Sequence, residues 1–121
     1  MEKKETEKGM KVVFIAGPYK APTIFQTMQN ILEARRIALK YWALGYAVIC
    51  PHSNSAFFDG SIVDIAELGR EEPWYDGDKE FVRRSDIVVA MHGWWNSKGA
   101  TAEIELAKEL NKHIIFEKEE E

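Results

Sequence analysis

Four short apolar runs recur along this sequence, and the segments between them follow helical rather than alternating patterns. The runs are Lys11–Ala16, Tyr46–Cys50, Ile87–Met91 and His113–Phe116. Continuous apolar runs of this length predict strands that are buried on both faces, and strands that alternate with helices predict a parallel sheet. The sequence therefore predicts an α/β domain with four to five parallel strands and helices on both faces of the sheet.

Helical patterns fill most of the remaining chain. The expected spans are Thr23 or Thr27 to Leu44, with either threonine able to cap the helix, then Trp74 to Ser85 and Ser97 to Asn111. In the first helix, the apolar stripe is indicated by Ile31, Ala34, Ala38 and Trp42. Residues 51–73 have no strong period apart from a short helix expected at Ile62–Leu68. A loop of that length is often functional.

Composition limits what kind of protein this is. The 121 residues, 45% of them hydrophobic, suit one domain, which we expect at 11–117 between frayed tails at 1–10 and 118–121. The net charge of -4 argues against a nucleic acid polymer as partner. No apolar run suggests a signal peptide or a membrane partner, and one unpaired cysteine suits the cytoplasm. No metal-ligand spacing, Walker loop or dinucleotide fingerprint is present, so we expect no metal and no cofactor.

The carboxyl ends of the predicted strands are where a ligand should bind in such a fold. The loops at these ends hold Gly17, Pro18 and Tyr19, then His52, then Gly93. Glycines allow the backbone to approach a ligand, and the start of the last helix, with Ser97 and Gly99, attracts anions. These residues are the candidate substrate-binding set. Each alone also has an ordinary structural explanation, such as helix capping by a serine.

Two carboxylates fall on helix faces where apolar residues are expected. On a helical wheel, Glu103 lies inside an apolar arc, whereas Glu105 and Glu109 lie on the opposite face. The arc consists of Ala100, Ile104, Leu106, Ala107 and Leu110, and Asp78 similarly shares a face with Trp74, Phe81, Val82 and Ser85. A carboxylate on an apolar face is costly unless it is paired, and either acid alone could be structural. Together, near one edge of the sheet, they suit catalysis at a glycosidic bond.

Two stretches, Val13–Tyr19 and Asp78–Glu103, resemble the nucleoside 2-deoxyribosyltransferase family, and the resemblance spans about Lys11–Phe116. It implies a Rossmann-like (flavodoxin-like) fold and a homo-oligomer of two or more chains whose neighbours complete each other's pockets. It also implies that Glu103 is the nucleophile, which forms a covalent deoxyribosyl intermediate. Asp78 would assist at the base and the sugar.

Two positions depart from the pattern of the family transferases. Phe14 stands where family enzymes often have a tyrosine that holds the nucleophile, and Ser97 stands where transferases tend to have an aspartate. Related 2'-deoxynucleoside 5'-monophosphate N-hydrolases have a phosphate-binding serine there. We therefore expect an enzyme that cleaves the N-glycosidic bond of a deoxynucleoside or its 5'-monophosphate, by transfer or by hydrolysis. A nucleotide-binding module without turnover and an interaction protein that uses Trp94 and Trp95 are the alternatives.

Overall fold

The sheet has the predicted parallel α/β character. The computed structural model describes residues 9–54 and 74–119, and within them the strands are β1 (Val12–Ala16), β2 (Ala47–Ile49), β3 (Ile87–Ala90) and β4 (His113–Phe116). They form one sheet in the order β2-β1-β3-β4, and every neighbouring pair is parallel. The chain leaves β1 toward β2 on one side and later returns to β3 on the other. The carboxyl ends of β1 and β3 therefore mark the crevice where such folds bind ligands.

The three longer helices begin and end close to the predicted residues, whereas the short helix at Pro51–Asn54 lies where the sequence predicted a loop. They are α1 (Ile24–Ala43), α2 (Pro51–Asn54), α3 (Trp74–Arg84) and α4 (Lys98–Glu109), with a 3₁₀ turn at Trp94–Asn96. Thr23 is the cap of α1, because its Oγ1 accepts a hydrogen bond from the Gln26 amide at 3.1 Å. Thr27 instead lies inside the first turn and accepts from the Ala21 amide. The helix predicted at Ile62–Leu68 lies outside the described residues.

The helices cover both faces of the sheet, as predicted. Successive strand residues point to opposite faces, so Val13 and Ile15 contact α1 while Phe14 and Ala16 contact α3 and α4. On the first face α1 contributes Ala34, Ile37, Ala38 and Tyr41, and on the second face the helices contribute Val82, Ile104 and Ala107. Because α3 and α4 share one face, the two unusual acids are carried by neighbouring helices.

Two apolar positions differ from the wheel predictions. Trp42 was expected in the buried stripe of α1, but it is 52% exposed and Tyr41 is buried in its place. The Tyr41 hydroxyl donates a hydrogen bond to Glu117 at 2.6 Å, which satisfies its polar end inside the structure. Leu110 is exposed because it follows the last residue of α4, where the helix no longer contacts the sheet.

No helix in the described ranges is long and apolar enough to span a membrane.

Candidate active site

A cavity of about 360 Å³ lies beyond the carboxyl ends of β1 and β3. Its volume suits a small molecule. The described residues that line it are Gly17, Pro18, Tyr19, Lys20, Pro51, His52, Trp74, Tyr75, Asp78, Asn96, Ser97, Lys98, Gly99, Ala100 and Glu103. Of the candidate site residues from the sequence, only Gly93 is absent from this lining. The structure thus brings both acids and most of the predicted binding residues to one place.

Both acids occupy the helix faces that the wheels assigned to them. Asp78 is 8% exposed, on the same side of α3 as the fully buried Val82. Glu103 is half-buried on α4, beside the fully buried Ile104, whereas Glu105 is exposed. Both carboxyl groups therefore line the cavity while much of each side chain is buried in the protein.

Burial changes how these two groups hold protons. It raises the pKa of Asp78 to about 6. The pKa of Glu103 is raised to about 8, mainly by burial and also by the neighbouring Asp78 charge, while Lys79 opposes the shift. The two groups titrate as a pair, because each proton affects the other site. Between these values the pair holds one proton, so the cavity offers one carboxylate and one carboxylic acid near neutral pH.

His52 brings a neutral imidazole to the cavity. It is 5% exposed, and its Nε2 lies 2.8 Å from the Pro18 carbonyl oxygen. A carbonyl can only accept, so Nε2 carries the proton and donates it. Burial lowers the pKa of the ring, which keeps it neutral and leaves Nδ1 as an acceptor. Nδ1 is buried and has no hydrogen-bond partner, so a ligand group that donates a hydrogen bond would complete it.

The start of α4 gives the cavity an anion-attracting end. Ser97 caps the helix, because its Oγ accepts a hydrogen bond from the Ala100 amide at 3.1 Å. That bond uses a lone pair, so the hydroxyl proton of Ser97 can still be donated to a ligand. The amides of Lys98 and Gly99 belong to the first turn, where the helix offers no acceptor. The side chains of Lys20 and Lys98 also line the cavity. A phosphate or carboxylate would be stabilised here.

Two glycines shape the neighbouring loops. A Cβ on Gly17 would lie 2.3 Å from Sδ of Met91 and 2.6 Å from its Cβ, so only glycine lets the loop after β1 pass the end of β3. Gly93 has φ of +88°, in the left-handed region that favours glycine, and precedes the 3₁₀ turn. A Cβ there would lie 3.7 Å from Cγ of Pro18, an ordinary contact, so the positive φ and not a lack of space favours glycine at this position.

Several lining residues were not singled out by the sequence. Trp74 and Tyr75 were placed on a helix but not in the site, although each precedes Asp78 by about one helical turn, a spacing that could have identified them. Trp94 and Trp95 do not line the cavity. Trp94 packs on the core layer of α3 and α4, and Trp95 is 55% exposed. Phe14 is fully buried in that same layer. In 9–54 and 74–119, no three His, Cys, Asp or Glu residues are grouped as metal ligands.

Comparisons with known proteins give a family but no activity. A comparison with curated proteins finds no match. The narrower resemblance to nucleoside 2-deoxyribosyltransferases therefore stays a prediction. Residues 11–116 match the family described as Domain of unknown function (DUF4406). That match includes β1, β4 and every described residue of the cavity. The chain belongs to the DUF4406 family.

Proposed function

We propose that this protein cleaves the N-glycosidic bond of a 2'-deoxynucleoside or its 5'-monophosphate. The observation that carries the proposal is the pair Asp78 and Glu103, which line one cavity and have pKa values raised by burial. Glycosidic chemistry needs two carboxyl groups in different protonation states. The resemblance to nucleoside 2-deoxyribosyltransferases, with a small-molecule substrate and a homo-oligomeric enzyme, is part of this proposal.

The reaction proceeds in two displacements. Glu103, as carboxylate, attacks the anomeric carbon while the bond to the base nitrogen breaks, and Asp78, as acid, donates its proton to the departing base. A glycosyl ester on Glu103 results. A second base, or water, then attacks the same carbon and releases Glu103, while Asp78 takes a proton from the attacking group. Two inversions give net retention.

The start of α4 favours a monophosphate as substrate. Gly99 and Glu103 are four residues apart and share a helix face, with roughly 6 Å of helix rise between them. A 5'-phosphate held by the amides of the first turn, by the Ser97 hydroxyl and by Lys98 would place a sugar near Glu103. Tyr75, which lines the same cavity and is 50% exposed, would offer an aromatic ring to the base.

The direct test is a panel of deoxynucleosides and their 5'-monophosphates, incubated with the protein with and without a free acceptor base. We expect base release, faster for a monophosphate, and transfer if the acceptor competes with water. The rate should be bell-shaped between about pH 6 and about pH 8, the pKa values of the pair. Below this range both groups are protonated and above it both are charged, so only the singly protonated pair reacts. Its reactive form, with Glu103 charged and the proton on Asp78, is the minor one, because Glu103 has the higher pKa. No base release from any member of the panel would refute the enzyme proposal.

A second candidate is a nucleotide-binding module that has no turnover. Phe14 favours it, because a fully buried phenyl ring cannot hold the Glu103 carboxylate through a hydroxyl. A raised pKa of Glu103 also reduces the fraction of the nucleophile that is charged. Calorimetry with the same panel separates the two candidates. Binding of a monophosphate without release of base by the wild type would establish the module.

A further inference from the structure

Helix α1 carries three stripes of residues, and the second of them is unexpected. The first, which we call the inner stripe, faces the sheet and consists of the buried residues Thr27, Ile31, Ala34, Ile37, Ala38 and Tyr41. The third, which is polar and exposed in large part, consists of Gln29, Glu33, Arg36 and Lys40. Between them lies a stripe of Phe25, Met28, Leu32, Arg35, Leu39 and Trp42, all of which are exposed. A surface helix needs only one apolar stripe for its own core.

This second stripe, which we call the outer stripe, exposes a large apolar area. Its five apolar side chains are between 47% and 69% exposed. With about 200 Å² for each such side chain when fully exposed, the outer stripe presents roughly 600 Å². The largest apolar patch of a typical monomer is about 300–600 Å², and such patches are often functional. A stable interface needs about 800 Å² from each partner, so the outer stripe supplies most of one.

The outer stripe also borders a surface groove. The described walls of this groove include Val48 and Ile49 of the edge strand β2 and Phe81 of α3. All three are half-buried. A helix that lay along the outer stripe would cover these residues as well, and would bring the buried area closer to that of a stable interface.

The spacing of the outer stripe matches a second helix of the same kind. From Phe25 to Trp42 its residues alternate at intervals of three and four, which is the spacing of a helix–helix seam. In an antiparallel pair of two copies, Phe25 faces Trp42, Met28 faces Leu39 and Leu32 faces Arg35. The aliphatic part of Arg35 then packs on leucine, and its charged end extends to solvent at the side of the seam. A parallel pair would instead set the two Arg35 charges against each other.

We propose that the outer stripe of α1 is the interface at which two copies of this chain form an antiparallel, two-fold dimer. Such an isologous contact is the commonest way for a soluble protein to assemble. The proposal stands on the exposure, spacing and charge of α1, and it does not depend on the reaction proposed for the cavity.

Light scattering of the full chain, across a wide range of protein concentrations, tests the interface. The wild type should show twice the 13.9 kDa of one chain. Leu39→Lys places an unpaired charge in the seam, so it should weaken the dimer by at least about 100-fold and halve the mass. Gln29→Lys, on the polar stripe of the same helix, should stay dimeric. Circular dichroism checks that both variants fold. A monomeric wild type, or a dimeric Leu39→Lys, would overturn the proposal.

Disulfide trapping in a Cys50→Ser background tests the orientation. The double variant Phe25→Cys with Trp42→Cys should form a covalent dimer on mild oxidation, because these positions face each other in an antiparallel pair. Each single variant should not, because the two copies of one position lie about 25 Å apart, far beyond the reach of a disulfide. Covalent dimers from a single variant would refute the antiparallel arrangement.

Discussion

The helices on the two faces of the sheet depart in opposite ways from the usual distribution of polar residues outside and apolar residues inside. On the face covered by α3 and α4, the acids Asp78 and Glu103 lie where apolar residues belong. On the other face, α1 holds large apolar residues such as Leu39 and Trp42 where polar residues belong. A buried acid costs folding free energy and an exposed apolar stripe invites association, so neither is favourable in an isolated chain. Under the two proposals made above, the buried acids bind a substrate and the exposed stripe binds a second copy of the chain.

The largest effect should come from removing the charge of Glu103, on the sheet face that α3 and α4 cover. Glu103→Gln keeps the shape of the side chain but has no anionic oxygen to attack the sugar. We expect base release, measured by chromatography, to fall by at least about 10³-fold while nucleotide binding persists. Glu105→Gln, two residues away and exposed, is the matched control and should keep its rate. Equal rates for Glu103→Gln and the wild type would make Glu103 a structural residue.

The inner and outer stripes of α1 should respond differently to truncation. Ile37 is 1% exposed, so Ile37→Ala should lower the free energy of unfolding by about 3 kcal/mol at any protein concentration. Leu39 is 69% exposed, so Leu39→Ala should cost less than about 0.5 kcal/mol in dilute samples. At high concentration the Leu39→Ala loss should grow, since dimerisation stabilises the folded state by mass action. Urea unfolding at two concentrations measures this, and an unchanged Leu39→Ala loss would contradict it.

The acid face should also make stability depend on pH. The folded-state pKa values of about 6 and about 8 lie above the ordinary 3.8 for Asp78 and 4.5 for Glu103. The folded protein therefore holds protons that the unfolded chain releases, and this contribution to stability is lost as pH rises from about 4 to about 8. Glu103→Gln should lose most of this pH-dependent contribution, because glutamine does not titrate. Above about pH 8 the variant should be more stable than the wild type in urea unfolding, because its neutral amide avoids the cost of burying a charge.

The exposed Glu105 again supplies the control for this pH dependence. Glu105→Gln should give a curve of stability against pH that is parallel to that of the wild type. If the Glu103→Gln curve is parallel as well, then Glu103 has an ordinary proton affinity in the folded state. Burial of the Glu103 charge would then cost no measurable folding free energy.

The helix cap that borders the cavity should have a modest effect on both stability and binding. Ser97→Ala removes the bond to the Ala100 amide and should cost about 1 kcal/mol of stability. It also removes a donor to phosphate, so KM should rise by roughly tenfold for a monophosphate and stay unchanged for a deoxynucleoside. Thr23→Ala removes the equivalent cap of α1, far from the cavity, and should lower stability alone. If the KM values of the two variants agree, Ser97 acts only as a cap.

Much of the fold could be predicted because a local sequence pattern indicates each strand and each long helix. The apolar runs fix where strands lie, and their alternation with helices fixes a parallel sheet. Periodicity was less reliable within α1, where Tyr41 and Trp42 are both aromatic and only one can face the sheet. The hydroxyl of Tyr41 reaches Glu117, 76 positions along the chain, and a local pattern holds no information about such a contact.

The candidate site likewise contains some features that the sequence identifies and others that depend on the folded structure. Asp78 and Glu103 could be identified because each conflicts with the apolar face around it, and that conflict is visible in the sequence. The unpaired Nδ1 of His52 could not be foreseen, since it depends on the loop of Pro18 folding over the ring. The outer stripe of α1 was readable as a spacing, but its exposure depends on which side of the helix the sheet covers.

The close contact between Gly17 and Met91 has an evolutionary consequence. Met91 belongs to the core layer beneath α1, while Gly17 lines the cavity beyond the carboxyl ends of the strands. Because there is no room for a Cβ at position 17 while methionine is present at 91, the two positions are epistatic. A lineage that altered the cavity at position 17 would first have to shrink residue 91, and would accept a looser core before gaining any new specificity.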